Sequence, residues 1–194
     1  MTITVTQLNK ASRKLVGMTV PQRLNGNVGN FVEEVLINEG YEINKGIGPD
    51  LLSIGVEIKT RDVNSNAHHT IGTMTATGIN STSWKDSSIC SKVQQQFRVL
   101  YDDKSGTIKS AGMYDFRHED IQSELEQIYN DTKATINAGL ASSLPLSANV
   151  RSTNTSAYWE LKGGSSYAFR ISNSAMTRFE AMAKSGKSFS KLFV

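Results

Sequence analysis

Gly48-Pro49-Asp50-Leu51-Leu52-Ser53-Ile54-Gly55-Val56-Glu57-Ile58-Lys59-Thr60-Arg61-Asp62 places two carboxylates and a lysine on what reads as a β-hairpin. Asp50 opens the apolar pair Leu51-Leu52, and Ser53-Ile54-Gly55 is a natural turn. Val56-Glu57-Ile58-Lys59 then alternates apolar with charged at period two. Val56 and Ile58 are expected to face a core, with Glu57 and Lys59 on the other face and outside that core. Charges next to apolar runs are costly unless paired, and a hard cation held by oxygen ligands pairs carboxylates. A lysine beside them supplies a compact positive charge able to orient water or to neutralise developing phosphate charge.

Upstream, Val28, Phe31, Val32, Val35 and Leu36 follow the i, i+3, i+4, i+7, i+8 spacing of one helix face. Glu33 and Glu34 flank that stripe on opposite sides, and helical phase does not choose between them.

The segment from Gly26 to Thr60 resembles the active-site region of the PD-(D/E)xK nucleases, in the branch of MutH-like enzymes and type II restriction endonucleases. The resemblance is carried by Val28-Gly29-x-x-Val32-Glu33, by Pro49-Asp50, and by Leu52-x-x-Gly55-Val56-Glu57-Ile58-Lys59-Thr60. Six residues separate Asp50 from Glu57 and one separates Glu57 from Lys59, as in that branch. Carried over, the resemblance makes Glu33 the helix carboxylate, Asp50 and Glu57 the metal-binding pair together with the carbonyl of Ile58, and Lys59 the catalytic lysine. Glu34 receives no role. The cofactor implied is Mg2+, with Mn2+ as a substitute. Trp84-x-x-Ser87-x-Ile89-x-x-Lys92-Val93 resembles the segment that brings a further lysine, Lys92, toward the scissile phosphate. Gln94-Gln95-Gln96 departs from the basic residues that pattern carries. Tyr158 to Lys162 and Tyr167 to Arg170 look like the family's two late, DNA-contacting strands. Arg61, Lys92, Arg98, Lys162 and Arg170 are the candidates for gripping DNA.

The 194 residues suit one domain spanning 1–194 with a full core. The expected architecture is α/β: a restriction-endonuclease-like mixed sheet flanked by helices. Mean hydropathy is -0.33, no apolar run approaches the ~18 residues of a membrane span, and no signal-peptide pattern opens the chain. The expectation is a cytoplasmic or otherwise intracellular protein without a membrane partner. Cys90, alone, excludes internal disulfides and cysteine-rich zinc sites, and reads as a small buried hydrophobe. The net charge of +3 permits phosphate binding. From Lys162 onward the cations Lys162, Arg170, Arg178, Lys184, Lys187 and Lys191 face Glu180 alone, which suits a grip on a polyanion or a solubilising tail.

Along the chain we expect a helix from Gln7 to Val16, the Val28 helix ending at Gly40, and a strand from Ile71 to Ile79. A helix from Asp86 to Gln96 leads into a strand at Phe97 to Tyr101, which turns at Asp102 to Gly106 and pairs back through Ile108 to Phe116. A long helix follows from Glu119 to Leu140. Residues 142–156, rich in Ser, Asn and Thr, read as a mobile loop. His68 and His69 point to opposite sides of an extended chain and lack zinc spacing. No nucleotide-binding loop occurs. These features together anticipate a metal-dependent endonuclease that nicks or cleaves double-stranded DNA with sequence specificity. It would act alone, as a homodimer or with a partner subunit. The alternative is a DNA-binding or regulatory subunit that keeps the nuclease fold without turnover, against which the intact Asp50, Glu57 and Lys59 argue.

Overall fold

The computed structural model describes residues 4–21, 27–139, 157–162 and 166–185. They form a mixed α/β structure with two three-stranded sheets, distributed over two compact units. The first draws on Met1–Asn66, Gln94–Asp115 and Lys184–Val194, the second on Ala67–Val93 and Phe116–Ala183.

In the first unit, α1 (Val5–Leu15) starts at a capping box in which Thr4 and Gln7 satisfy each other's backbone N–H groups. Next, α2 (Val28–Asn38) buries Val28, Phe31, Val32 and Leu36 of the stripe anticipated from spacing, with Val35 only partly buried against the core, and Gly40 follows at φ +90°. β1 (Glu57–Asp62) runs parallel to β3 (Gln95–Asp102), and β3 pairs antiparallel with β4 (Thr107–Asp115). Parallel neighbours need a long crossover, and the segment between β1 and β3 supplies it. Register assigns the faces. Ile58, Phe97 and Met113 form one row and Thr60, Val99 and Ala111 the next, and most of these residues join α1 and α2 in one apolar core. Leu8, Leu15, Val32 and Leu36 are fully shielded there, each worth about 2 kcal/mol relative to exposure. The outer edge of β4 is covered by residues 17–20, whose backbone exchanges hydrogen bonds with Gly106 and Ile108.

The second unit is an antiparallel sheet in the order β2 (His69–Thr75), β6 (Ser166–Ile171), β5 (Ala157–Lys162). Its helices are α3 (Ala76–Ser81), α4 (Ser88–Gln94), α5 (Glu119–Asn137) and α6 (Asn173–Ser185). The strand expected to reach Ile79 ends at Thr75. The Thr75 side chain accepts the Gly78 N–H and caps α3, so Ile79 is buried from a helix instead. α5 buries Ile121, Leu125, Tyr129 and Thr132. Leu140 and the loop expected at 142–156 lie outside the described residues. Trp84, Tyr129, Trp159 and Phe169 pack as tilted and edge-on ring pairs with centroids 5.0 to 6.2 Å apart, geometry that favours aromatic contacts.

The Tyr129 hydroxyl lies 2.7 Å from Thr82 Oγ1, within a network that also reaches the Ile79 carbonyl. Burial raises the Tyr129 phenol pKa, against a smaller opposing effect of the Thr82 hydrogen bond. The folded state therefore keeps this proton at pH values where the unfolded chain gives it up, and stability falls as pH rises through the interval between the two values. Tyr129→Phe is expected to lower the unfolding free energy by about 1 kcal/mol at neutral pH and to flatten the decline above the ordinary phenol range. Urea denaturation followed across pH checks both.

Candidate active site

The anticipated hairpin is present in tight form. Leu51 and Val56 exchange backbone hydrogen bonds of 2.8 and 3.2 Å, and the chain between them makes a single 3-10 turn, Leu52–Ile54, closed by Gly55 at φ +68°. The next rung would pair Pro49 with Ile58. Proline has no N–H to give the Ile58 carbonyl, which removes one of the rung's two bonds, and the Ile58 N–H does not take the other. Instead the Asp50 side chain takes over: its Oδ2 accepts the Ile58 N–H at 2.8 Å. The Pro49 carbonyl accepts from the Asn44 side chain. β1 is an edge strand, and within a strand the N–H and C=O of one residue point to the same side. The Ile58 carbonyl therefore lies on the edge that Asp50 caps, and Pro49 cannot donate to it.

On the opposite face of the sheet from the apolar core, Glu57, Gln96 and Tyr114 make one row and Lys59, Arg98 and Gly112 the next. Two cations side by side repel. Lys59 turns along its own strand, its Nζ 2.6 Å from Glu57 Oε1, while the Arg98 guanidinium lies over the Tyr114 ring at 5.6 Å. The face is not an open one. The Glu57 side chain is only 2% exposed, against 28% for Lys59, which corrects the expectation that both stand outside the core. A carboxylate this shielded depends on charge-assisted partners.

Glu33 forms an ion pair with Lys45, a residue of the loop before Asp50. α2 packs on β1, where a side chain at Gly29 would meet Thr60. Among the described residues no three His, Cys, Asp or Glu side chains are grouped as a metal-ligand set. The hairpin carries three oxygen donors close in sequence, the Asp50 carboxylate bound to the Ile58 N–H, the Ile58 carbonyl, and the Glu57 carboxylate bound to Lys59. All are hard ligands of the kind Mg2+ and Mn2+ take.

The residues expected to grip DNA occupy varied settings. Arg61 donates to the Ser65 carbonyl at 2.7 Å. Arg98 is buried in the sheet face just described, and Arg170 pairs with Glu160. Lys92 is half-buried on α4, where its stem crosses Gly72 of β2, and Arg178 pairs with Glu124. The side chains of Lys162, Lys184, Lys187 and Lys191 lie outside the described residues. His68 Nδ1 is 2.9 Å from the Tyr158 hydroxyl, and His118 caps α5. Cys90 is buried, as its composition-level reading anticipated.

One contributor was overlooked in the sequence. Asn44 ties the loop before Asp50 together: its side chain donates to the carbonyls of Ile47 and Pro49 and accepts the Gly46 N–H, and its backbone N–H donates to the Asp50 carbonyl. The Asn-Lys-Gly order of residues 44 to 46 is a turn signal that marked this position. No protein-family model matches the chain, and no curated protein matches its sequence.

The unequal exposure of the Glu57–Lys59 pair yields an asymmetry. Without its lysine the carboxylate stays in the interior, whereas without its carboxylate the ammonium reaches water. Lys59→Met is expected to destabilise the fold by about 2 kcal/mol and Glu57→Gln by about 1 kcal/mol, read from denaturant unfolding of the purified variants.

Proposed function

We propose that the protein is a magnesium-dependent endonuclease of the PD-(D/E)xK type that hydrolyses phosphodiester bonds of duplex DNA, in the MutH-like and restriction-endonuclease branch. The observation that carries this reading is the Asp50 carboxylate held on the N–H of Ile58, the residue between Glu57 and Lys59. It joins the two halves of the motif through a contact that no strand periodicity requires. Asp50, Glu57 and the Ile58 carbonyl would hold the ion, with Glu33 contributing after release from Lys45. An ion held by these residues would supply Lewis-acid polarisation of the scissile phosphate and a lowered pKa for a bound water.

The chain's own groups supply the rest. Lys59, partly exposed and paired with Glu57, would orient the attacking water or stabilise charge developing on the phosphate. The Ile58 N–H fixes one Asp50 oxygen and so orients the other. Arg61, on the same strand as Glu57 and Lys59, is the cation we assign to phosphate contact. Such contacts set register without reading bases. Recognition of sequence falls to side chains that reach base edges.

One chain offers one such site, so a monomer nicks. Supercoiled plasmid incubated with the protein and Mg2+ is expected to pass through a nicked circle before linear product appears, and Asp50→Asn is expected to reduce the rate by about a hundredfold or more while keeping the hydrogen bond to Ile58. Cleavage by Asp50→Asn at the wild-type rate overturns the reading, and direct linearisation together with a dimer in sedimentation replaces the monomer by a paired-site enzyme. Duplex binding without cleavage at any magnesium concentration identifies the non-cutting subunit.

Glu33→Gln is expected to raise the magnesium concentration needed for half-maximal cleavage, because a negative charge is lost at constant shape. Glu34→Gln, on the other flank of α2, should shift it less. Magnesium titrations of the two variants check the order.

A further inference from the structure

Ile47 and Leu52 are the two most exposed of the large apolar side chains described as exposed, at 89% and 62%. Both belong to the short segment that carries Asp50, one on each side of it. Leu52 Cδ1 lies over Gly48, the neighbour of Ile47, close enough that a side chain there would touch it, so both exposed apolar side chains stand on the same short loop. The prominence is held rather than loose. The Asn44 hydrogen bonds close the loop on both sides of Ile47, and the Asp50 carbonyl accepts the Asn44 N–H at 2.7 Å. Gly48 makes the bend at φ +108°, a conformation that side chains disfavour. A loop whose polar groups are tied inward while an isoleucine is held out in water presents an apolar contact in advance of its partner.

We propose that this prominence is a wedge for duplex DNA: Ile47, supported by Leu52, packs against the sugar and base step beside the phosphate that Asp50 addresses. The inference rests on the nuclease reading and deepens it by assigning a substrate contact to the same site. Ile47 is three residues from Asp50, which limits their Cα atoms to a separation of about 11 Å. A phosphate at the carboxylate therefore brings its own nucleotide and the next within reach of the tip. Apolar side chains inserted between base steps unstack them and kink the duplex. Lys45, largely exposed, stands beside the tip as a cation for the flanking backbone. Distortion of the step next to the cut would favour flexible pyrimidine–purine steps without any hydrogen bond to a base.

The test uses the full chain carrying Ile47→Trp, with Ile37→Trp on the last turn of α2 as the control, since Ile37 is also exposed. The native Trp84 and Trp159 are only 2% and 1% exposed, so acrylamide reports chiefly on the introduced indole. Mixed-sequence duplex DNA is added with Ca2+ in place of Mg2+, and binding is followed in parallel by gel shift. The expected result is that DNA quenches the Ile47→Trp emission and shields it from acrylamide while Ile37→Trp is unaffected. Ile47→Asp is expected to weaken duplex binding about tenfold. Bound DNA that leaves the indole at position 47 as accessible as before overturns the wedge alone, with the nuclease reading intact if wild-type protein cuts. Shielding without DNA, together with a dimer in sedimentation, overturns it in favour of self-association. Absence of any duplex binding by wild-type protein overturns the wedge and the nuclease reading together.

Discussion

The hydrogen bond from the Ile58 N–H to the Asp50 carboxylate holds the candidate site together. A β-hairpin normally continues by backbone pairing, and here that pairing is interrupted after one rung: Pro49 has no N–H for the Ile58 carbonyl, and its own carbonyl accepts from the Asn44 side chain while the Ile58 N–H goes to Asp50. The side chain that replaces the missing backbone partner is the charged group of interest. One interaction thus satisfies the strand edge, orients a carboxylate and leaves the Ile58 carbonyl on that edge without its ladder donor. An edge N–H with no partner is a liability, so structural and chemical needs coincide at this position.

A second constraint comes from the sheet itself. Three strands in register stack Lys59 against Arg98 and Glu57 against Gln96. Relief comes by sending each cation to a different partner, Glu57 for the lysine and the Tyr114 ring for the arginine. The lysine is thereby held beside the carboxylate with its ammonium partly in water. Nearly complete shielding of Glu57 strengthens that pairing, because the attraction between charges grows as water is excluded. The same shielding ties the fold's stability to the site's charges.

The second unit contributes a different kind of order. Its interior is built on aromatic rings contributed by β5, β6, α5 and the turn at Trp84, and the polar end of Tyr129 is satisfied by Thr82. Lys133 donates to the Thr82 carbonyl at 2.9 Å and fastens α5 to the same turn. Close approach of α4 to β2 is allowed by Gly72, since a side chain there would come within 2.9 Å of Ile89. That approach sets the path of the Lys92 stem.

Local periodicity determined much of this protein by itself. The stripe on α2, the turn at Gly55, the alternation that puts Glu57 and Lys59 on one face, and the β3–β4 hairpin all follow from spacings shorter than one element, where backbone geometry leaves little choice. Other features depend on partners distant in sequence, and only the tertiary structure decided them. Strands expected in one mixed sheet divide into two, because β2 pairs with β6 rather than with its sequence neighbour β1. Glu33 was legible as a carboxylate flanking the α2 stripe, but its pairing with Lys45 was not, since that contact depends on how the Asn44 loop folds back. The burial of Arg98 and Glu57 was equally hidden: period two assigns residues to faces of a strand and is silent on which face water reaches. Pro49 shows the boundary between the two kinds of information. Its missing N–H is written in the sequence, but its consequence for Ile58 exists only once the hairpin has closed.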